Sequence, residues 1–253
     1  MLKDYLGKFE VVGGIKLYPV KVLDWEEFQP LSSKFLLYGY DFLDFRLGAD
    51  ENTLLFDLMV SIITNDIING SKQECRLLKD FERMFSIVLR KECHVMVDNK
   101  SGKWWVSFDD GNGVIDRDNY DEIRDVILRQ NLIHEPLIVP DEYSQKIIDD
   151  GIRALSSGGR KSDLESMVAY VCNLKGIDAS EMADYSYYRL RCDVEMWQRI
   201  EMNRAIHIYK SQGAKCQTIN EFKEFECHKN PYSWDALFEK DKGDGEMAKM
   251  MAG

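Results

Sequence analysis

The hydrophobic period of this chain changes along its length, and that change limits the folds open to it. Leu54, Leu55, Leu58, Ile62 and Ile63 recur at helical spacing, and so do Leu77, Leu78, Phe81, Phe85, Val88 and Leu89. The period then drops to two. His94-Val95-Met96-Val97, a turn at Asp98-Asn-Lys-Ser-Gly102, and Trp104-Trp105-Val106-Ser107-Phe108 predict a β-hairpin. An earlier hairpin is predicted where Phe9–Val12 and Ile15–Val22 flank Gly13-Gly14, a pair tolerant of positive φ. Short hairpins among helices, without strand-helix-strand alternation, exclude a mostly parallel sheet. The expected fold is helix-rich α+β. A small antiparallel sheet from Phe9–Val22 and Val95–Ile115 would pack against the helices of residues 50–91 and 119–131.

Local signals place the remaining elements. Asp24, with Glu27 three residues on, opens a short helix that Pro30 either interrupts or leaves near a second helix start. Asp50 can cap the first long helix, which ends near Asn69-Gly70, and Ser71-Lys-Gln-Glu74 forms a capping box for the next. After the turn Asp109-Asp110-Gly-Asn-Gly113, Asp116 or Asp118 can cap a helix carrying Ile123, Val126 and Ile127 on one face, with Asn119 or Tyr120. That helix stops before Pro136. Asp141 can cap a further helix through Tyr143, Ile147, Ile148 and Ile152.

The composition shift at Ser156-Ser-Gly-Gly-Arg-Lys-Ser162 reads as a linker. The expected organisation is therefore a mixed α+β domain over 1–156, a linker over 157–162, and an all-helical module over 163–238. A disordered tail is expected over 239–253. Within the module, Ser162-Asp-Leu-Glu165 is a second capping box, Gly176 ends that helix, and a long helix runs from Ser180 or Asp184 to Gly213.

The charge is uneven. Of the net −11, residues 1–156 carry 28 acidic and 19 basic side chains, and residues 157–253 carry 16 and 14. So acidic a first part is unsuited to wrapping phosphates, and no nucleic-acid partner is expected. No apolar run approaches the roughly 20 residues that span a bilayer, and the N-terminus lacks the apolar core of a signal peptide, so a soluble cytoplasmic protein is expected.

Few residues offer chemistry. Six cysteines, Cys75, Cys93, Cys172, Cys192, Cys216 and Cys227, include no C-x-x-C pair and read as reduced structural thiols. Cys216, Cys227 and His228, with Cys93 or His94, could supply four metal ligands, but their spacing lacks the close pairing of a structural zinc site; no metal or cofactor is expected. Asp109, Asp110, Asn112, Asp116 and Asp118 are dense in oxygen ligands, yet the glycines fall wrongly for a calcium loop and no Glu closes the register. None of His94, His134, His207 and His228 stands in a nucleophile setting, and Gly13-Gly14 and Ser157-Gly-Gly159 lack a phosphate loop's context. Lys103 beside Trp104-Trp105 could suggest base stacking, but the adjacent acids favour one Trp inward and one at a surface. No catalytic set emerges, and a non-enzymatic protein is expected.

The long C-terminal helix has two apolar stripes. One broad face holds Tyr187, Leu190, Val194, Trp197, Ala205, Ile208 and Tyr209; a weaker one holds Tyr188, Cys192, Met202 and Ile206. Such a helix is either central to a bundle, with Trp197 in the core, or offers a groove to a partner helix. In the second case Tyr188, Met202 and Ile206 are the partner-binding candidates.

The stretch Val114–Pro136, with its Asp-Arg-x-Asn-aromatic-Asp turn, helix and closing Gln-Asn-x-Ile-x-x-Pro, resembles a segment of tail assembly chaperones of tailed phages of Gram-positive bacteria. Ile15-Lys-Leu-Tyr-Pro-Val-Lys21 followed by Asp24-Trp-Glu-Glu-Phe28 is similar to their opening. Leu164-Glu-Ser-Met167, Tyr187-Tyr-Arg-Leu190 and the run from Phe222 to Asn230-Pro-Tyr232 extend the resemblance over most of the chain. It implies a non-enzymatic protein of the host cytoplasm that escorts the helical tape-measure protein while tail-tube subunits polymerise, and that is absent from the mature virion. The implied partners are the tape-measure protein and tail-tube components, with self-association open. The length of the second module leaves room for the alternative of a structural tail or baseplate-associated protein, or another protein-interaction module.

Overall fold

The computed structural model describes residues 2–37, 55–69, 76–98, 100–108, 113–137, 142–157 and 163–233. Outside these lie the expected caps at Asp50 and Asp141, the Ser71–Glu74 capping box, the first four residues of the 109–113 turn, linker residues 158–162 and the 239–253 tail. The described residues form a helix-rich α+β fold with two small antiparallel ladders. In chain order the elements are α1 (Leu2–Tyr5), β1 (Glu10–Val12), β2 (Ile15–Leu17), α2 (Trp25–Phe35), α3 (Leu55–Asn69) and α4 (Arg76–Leu89). There follow β3 (Cys93–Val97), β4 (Trp104–Phe108), α5 (Tyr120–Gln130), α6 (Glu142–Ser157), α7 (Leu164–Lys175) and α8 (Tyr187–Ser211). Short 3₁₀ turns span Val22–Asp24, Ala179–Asp184 and Glu226–His228. Among the described residues no helix is long and apolar enough to cross a membrane.

The chain divides into two compact units. One comprises Met1–Ile133 with Ala183–Arg189, the other His134–Met182 with Leu190–Gly253. The division falls after Ile133 rather than at the composition shift near 157, so α6 belongs with the second unit. A short later segment belongs with the first.

In the first unit the hairpin turns at Gly13 and Gly14, with φ of 54° and 86°, and pairs Val12 with Ile15. The second strand ends at Leu17, not Val22, because its next donors are used elsewhere. Tyr18 N donates to Val88 O at 2.8 Å, Pro19 has no N–H, and Val20 N donates to Asn131 Oδ1 at 2.9 Å. The second hairpin pairs Cys93 with Phe108 through Val97 with Trp104. A further bridge joins Val106 to Ile115. Among the described residues the two hairpins are separate ladders, where a single sheet was expected.

The helices supply the core that joins these pieces. Phe81 meets Phe35 and Phe85 edge-on at 5.2 and 5.1 Å, and Tyr120 packs against Phe56 and Phe85. α5 also serves the end of α2. Tyr120 Oη donates to Phe35 O and Arg124 Nε to Leu36 O, each at 2.7 Å, so two carbonyls at a helix terminus are satisfied by side chains. Pro30 lies inside α2 rather than breaking it; the helix continues because Phe28, Ser32 and Phe35 are buried on one face. α5 begins at Tyr120 with Asn119 as N-cap. Asp116 instead accepts the amide of Asp118, closing a turn one step earlier.

The segment Ala183–Arg189 docks onto this unit. Val22 N donates to Tyr185 O and Tyr187 N to Val20 O, both at 2.8 Å. Tyr187 stacks flat on Trp25 at 3.4 Å, and the Arg189 guanidinium lies 3.8 Å from the Tyr185 ring centroid. Lys21 completes the attachment with a 2.6 Å ion pair to Asp184.

In the second unit α7 is capped by Asp163, whose carboxylate accepts the Ser166 amide at 2.6 Å; the cap is one residue later than the Ser162 box implied. The helix ends at Gly176, whose φ of 65° lets its amide and that of Ile177 reach Cys172 O. α8 begins only at Tyr187, after the 3₁₀ turn. Beyond its end at Ser211 the chain is irregular to residue 233 apart from the turn at Glu226–His228, so this module is not wholly helical.

Candidate functional site

α8 is the element that organises the second unit, and its faces do different work. Cys192, Glu195, Arg199 and Asn203 follow one another at three- and four-residue intervals and so share a side. This side binds the returning segment 219–228 through polar contacts. Asn203 donates to Ile219 O at 2.8 Å and accepts from Ile219 N at 2.7 Å. Arg199 is buried; its guanidinium donates to Glu221 O at 3.3 Å, to Lys223 O at 2.5 Å, and to Glu224 O at 2.6 Å. The same guanidinium pairs with Glu195, whose carboxylate also accepts the amides of Glu226 and Cys227 at 2.6 and 3.0 Å. An irregular segment has otherwise unpaired main-chain groups, and these side chains satisfy them.

At the end of this clasp three ligand atoms converge. The thiols of Cys192 and Cys227 and a ring nitrogen of His228 all lie within 4.8 Å of one another. Cys192 is buried, Cys227 and His228 half-buried. Cys192 Sγ stands 3.6 Å from His228 Nε2. The neighbouring Cys227 thiol, burial, and the carboxylates of Asp193 and Glu195 push the Cys192 thiol well above the usual range. Burial pulls the His228 imidazole below its ordinary value, favouring the neutral ring. Proximity in sequence groups Cys227 and His228 with Cys216; in the structure Cys192, 35 residues before Cys227, takes that place. No spacing rule could have found it, because the third residue comes from a helix and the other two from a turn that folds back on it.

The predicted partner-binding residues are not all on the surface. Tyr188 is 2% exposed and offers nothing to a partner, so it does not belong to the face. Met202 is 50% exposed, and Ile206 is half-buried. Tyr209, assigned by sequence to the other stripe, is 57% exposed, and Ala205 is exposed as well. At ~100° per residue, Met202, Ala205, Ile206 and Tyr209 share an arc of about 100°, so they form one apolar face. Trp197 is half-buried rather than at the centre of a core.

The other sequence candidates fall apart or into structural roles. His94 and His207 are exposed, and His134 Nε2 donates to Cys227 O at 3.2 Å. Asp116 and Asp118 belong to the turn before α5, while Asp109, Asp110 and Asn112 lie outside the described residues. Trp104 and Trp105 are both half-buried, where one inward and one outward ring was expected. They line a cleft of about 570 Å³ with Phe56, Val60, Lys103 and Arg117. The cleft carries both signs of charge, with Arg117 paired to Asp57 at 2.9 Å. No protein-family model, curated protein or solved structure matches the chain.

Proposed function

We propose that this protein is a non-enzymatic tail assembly chaperone of a tailed phage, which binds the tape-measure protein in the host cytoplasm while the tail tube is built. The resemblance of Val114–Pro136 and of the opening Ile15–Phe28 region to that family supports this reading. The observation that carries the binding mode is the apolar arc of α8, in which Met202, Ala205 and Tyr209 are exposed and Ile206 is half-buried. A tape-measure protein is a long helix with apolar stripes, and an adaptable face containing Met and Tyr is suited to receive one such stripe. The occupant of this arc is therefore a tape-measure helix. The net −11 of the chain adds long-range attraction for basic segments of that partner and keeps the chaperone soluble.

Co-expression tests the reading. Wild-type protein should keep the tape-measure protein soluble, and M202D/Y209D should weaken that effect at least tenfold in a pull-down while circular dichroism stays unchanged. A folded double variant that solubilises its partner as well as wild type removes α8 from the interface. Mass spectrometry of washed virions addresses the other reading. A chaperone is missing from them, whereas presence in fixed copy number makes this a structural tail or baseplate-associated protein.

A further inference from the structure

We propose that Cys192, Cys227 and His228 bind one zinc ion, with water as the fourth ligand, and that the metal locks the segment 219–228 against α8. This is independent of the partner-binding reading and concerns a different side of the helix.

The three ligand atoms stand close to the spacing of a tetrahedral zinc site. With Zn–S about 2.3 Å and Zn–N about 2.0–2.1 Å, tetrahedral ligands sit about 3.5–3.8 Å apart. Cys192 Sγ and His228 Nε2 are already at 3.6 Å, and Cys227 Sγ lies within 4.8 Å of Cys192 Sγ and of a His228 ring nitrogen. At most about 1 Å separates the widest of these distances from tetrahedral spacing. Two thiolates and one imidazole are soft and borderline ligands, the set that selects zinc over calcium or magnesium. On binding, both thiols release their protons, and the two thiolate charges neutralise Zn²⁺.

The surroundings hold the ligands as metal sites require. Glu195 fixes the amide of Cys227, and His134 fixes its carbonyl, so the residue is held on both sides. The Phe225 ring meets the His228 ring edge-on at 5.5 Å and sets its orientation. Half-burial of Cys227 and His228 leaves a solvent side for the water.

The test uses the full chain purified from zinc-supplemented cells without chelator. Elemental analysis should give one zinc per chain, falling at least tenfold in C192S, C227S and H228A and unchanged in C216S. Replacement by Co²⁺ should produce thiolate-to-cobalt charge-transfer absorption in wild type, reduced in each single thiol variant. This signature reads the ligands directly, so a variant that misfolds does not decide the matter. A zinc-free protein that takes up none on dialysis against zinc overturns the proposal, as does full zinc retention in C192S. A Cys192–Cys227 disulfide in the non-reduced intact protein, seen as a loss of two hydrogen masses, overturns it too.

Discussion

Arg199→Ala is the sharpest perturbation of the clasp. The side chain is buried and supplies hydrogen bonds to three main-chain carbonyls and to Glu195. Removing one partner of a buried ion pair costs ~3–5 kcal/mol, and a stranded carbonyl ~1–3 kcal/mol. Here Lys223 and Glu224 are exposed, so their carbonyls can turn to water when the segment lifts, and Glu195 keeps two amide donors. The cost of holding the segment in place should therefore be about 2–4 kcal/mol. At ~1.4 kcal/mol per tenfold, local opening becomes about thirtyfold to several hundredfold more frequent.

Hydrogen exchange reads that opening at the amides of Ile219, Glu226 and Cys227, whose acceptors are side chains of α8. Their protection should drop by that factor while amides within α7 hold theirs. Arg199→Lys keeps the charge but not the planar fork, and should fall between the two. Exchange at all three amides within threefold of wild type in R199A would refute the assignment of Arg199 as the holding residue.

Other outcomes follow from single contacts. Asn131→Ala strands Val20 N–H and Ile127 C=O, both buried, and should destabilise the first unit by ~2–5 kcal/mol in denaturant titration, with faster exchange at the Val20 amide. The Tyr170 phenol, held up to about 12 by burial and by donating to Glu201 at 2.9 Å, should ionise later than an ordinary tyrosine in ultraviolet titration. Since its neutral form is favoured by folding, its contribution is complete below about pH 10 and is lost as pH rises towards 12; E201Q should bring the ionisation down. Chelation of a zinc-loaded sample should raise exchange at Cys227 without moving Val20, and equal protection before and after would separate the metal from the clasp.

Much of the fold is legible because it rests on local rules. Gly13-Gly14 can turn a hairpin whatever surrounds it, the Phe81-Phe85-Val88 stripe defines one face of α4, and Gly176 ends α7 through its positive φ. What escaped depends on distant donors and acceptors. The length of β2 is set by Val88 O and Asn131 Oδ1, which no local pattern reveals. The attachment of Ala183–Arg189 turns on Tyr187 stacking with Trp25, far apart in sequence. The Cys192–Cys227–His228 cluster was hidden for the same reason, although Cys227-His228 as neighbours gave half of the signal.

The apolar residues of α8 pose the remaining question, because period alone made them candidates for a bundle core. Isolated exposed apolar side chains need no explanation. Met202, Ile206 and Tyr209 differ in being contiguous on a helix that has a long irregular segment available to cover them. That segment, residues 212–233, could have laid its own apolar residues over the arc. Instead Ile219 to His228 is fastened to the neighbouring side by Asn203, Arg199 and Glu195, and Phe222 points away, 90% exposed. A sequence that spends a buried arginine and a carboxylate on holding this segment to the polar side leaves the apolar side open by construction. Loosening the clasp in R199A should then let the segment stray over the arc and compete with the tape-measure helix proposed to bind there. Partner binding in co-expression should fall in R199A and recover when Phe222 and Ile219 are replaced by Ser in the same chain. Binding that stays at the wild-type level in R199A, with exchange showing the segment released, would mean that the openness of the arc owes nothing to the clasp.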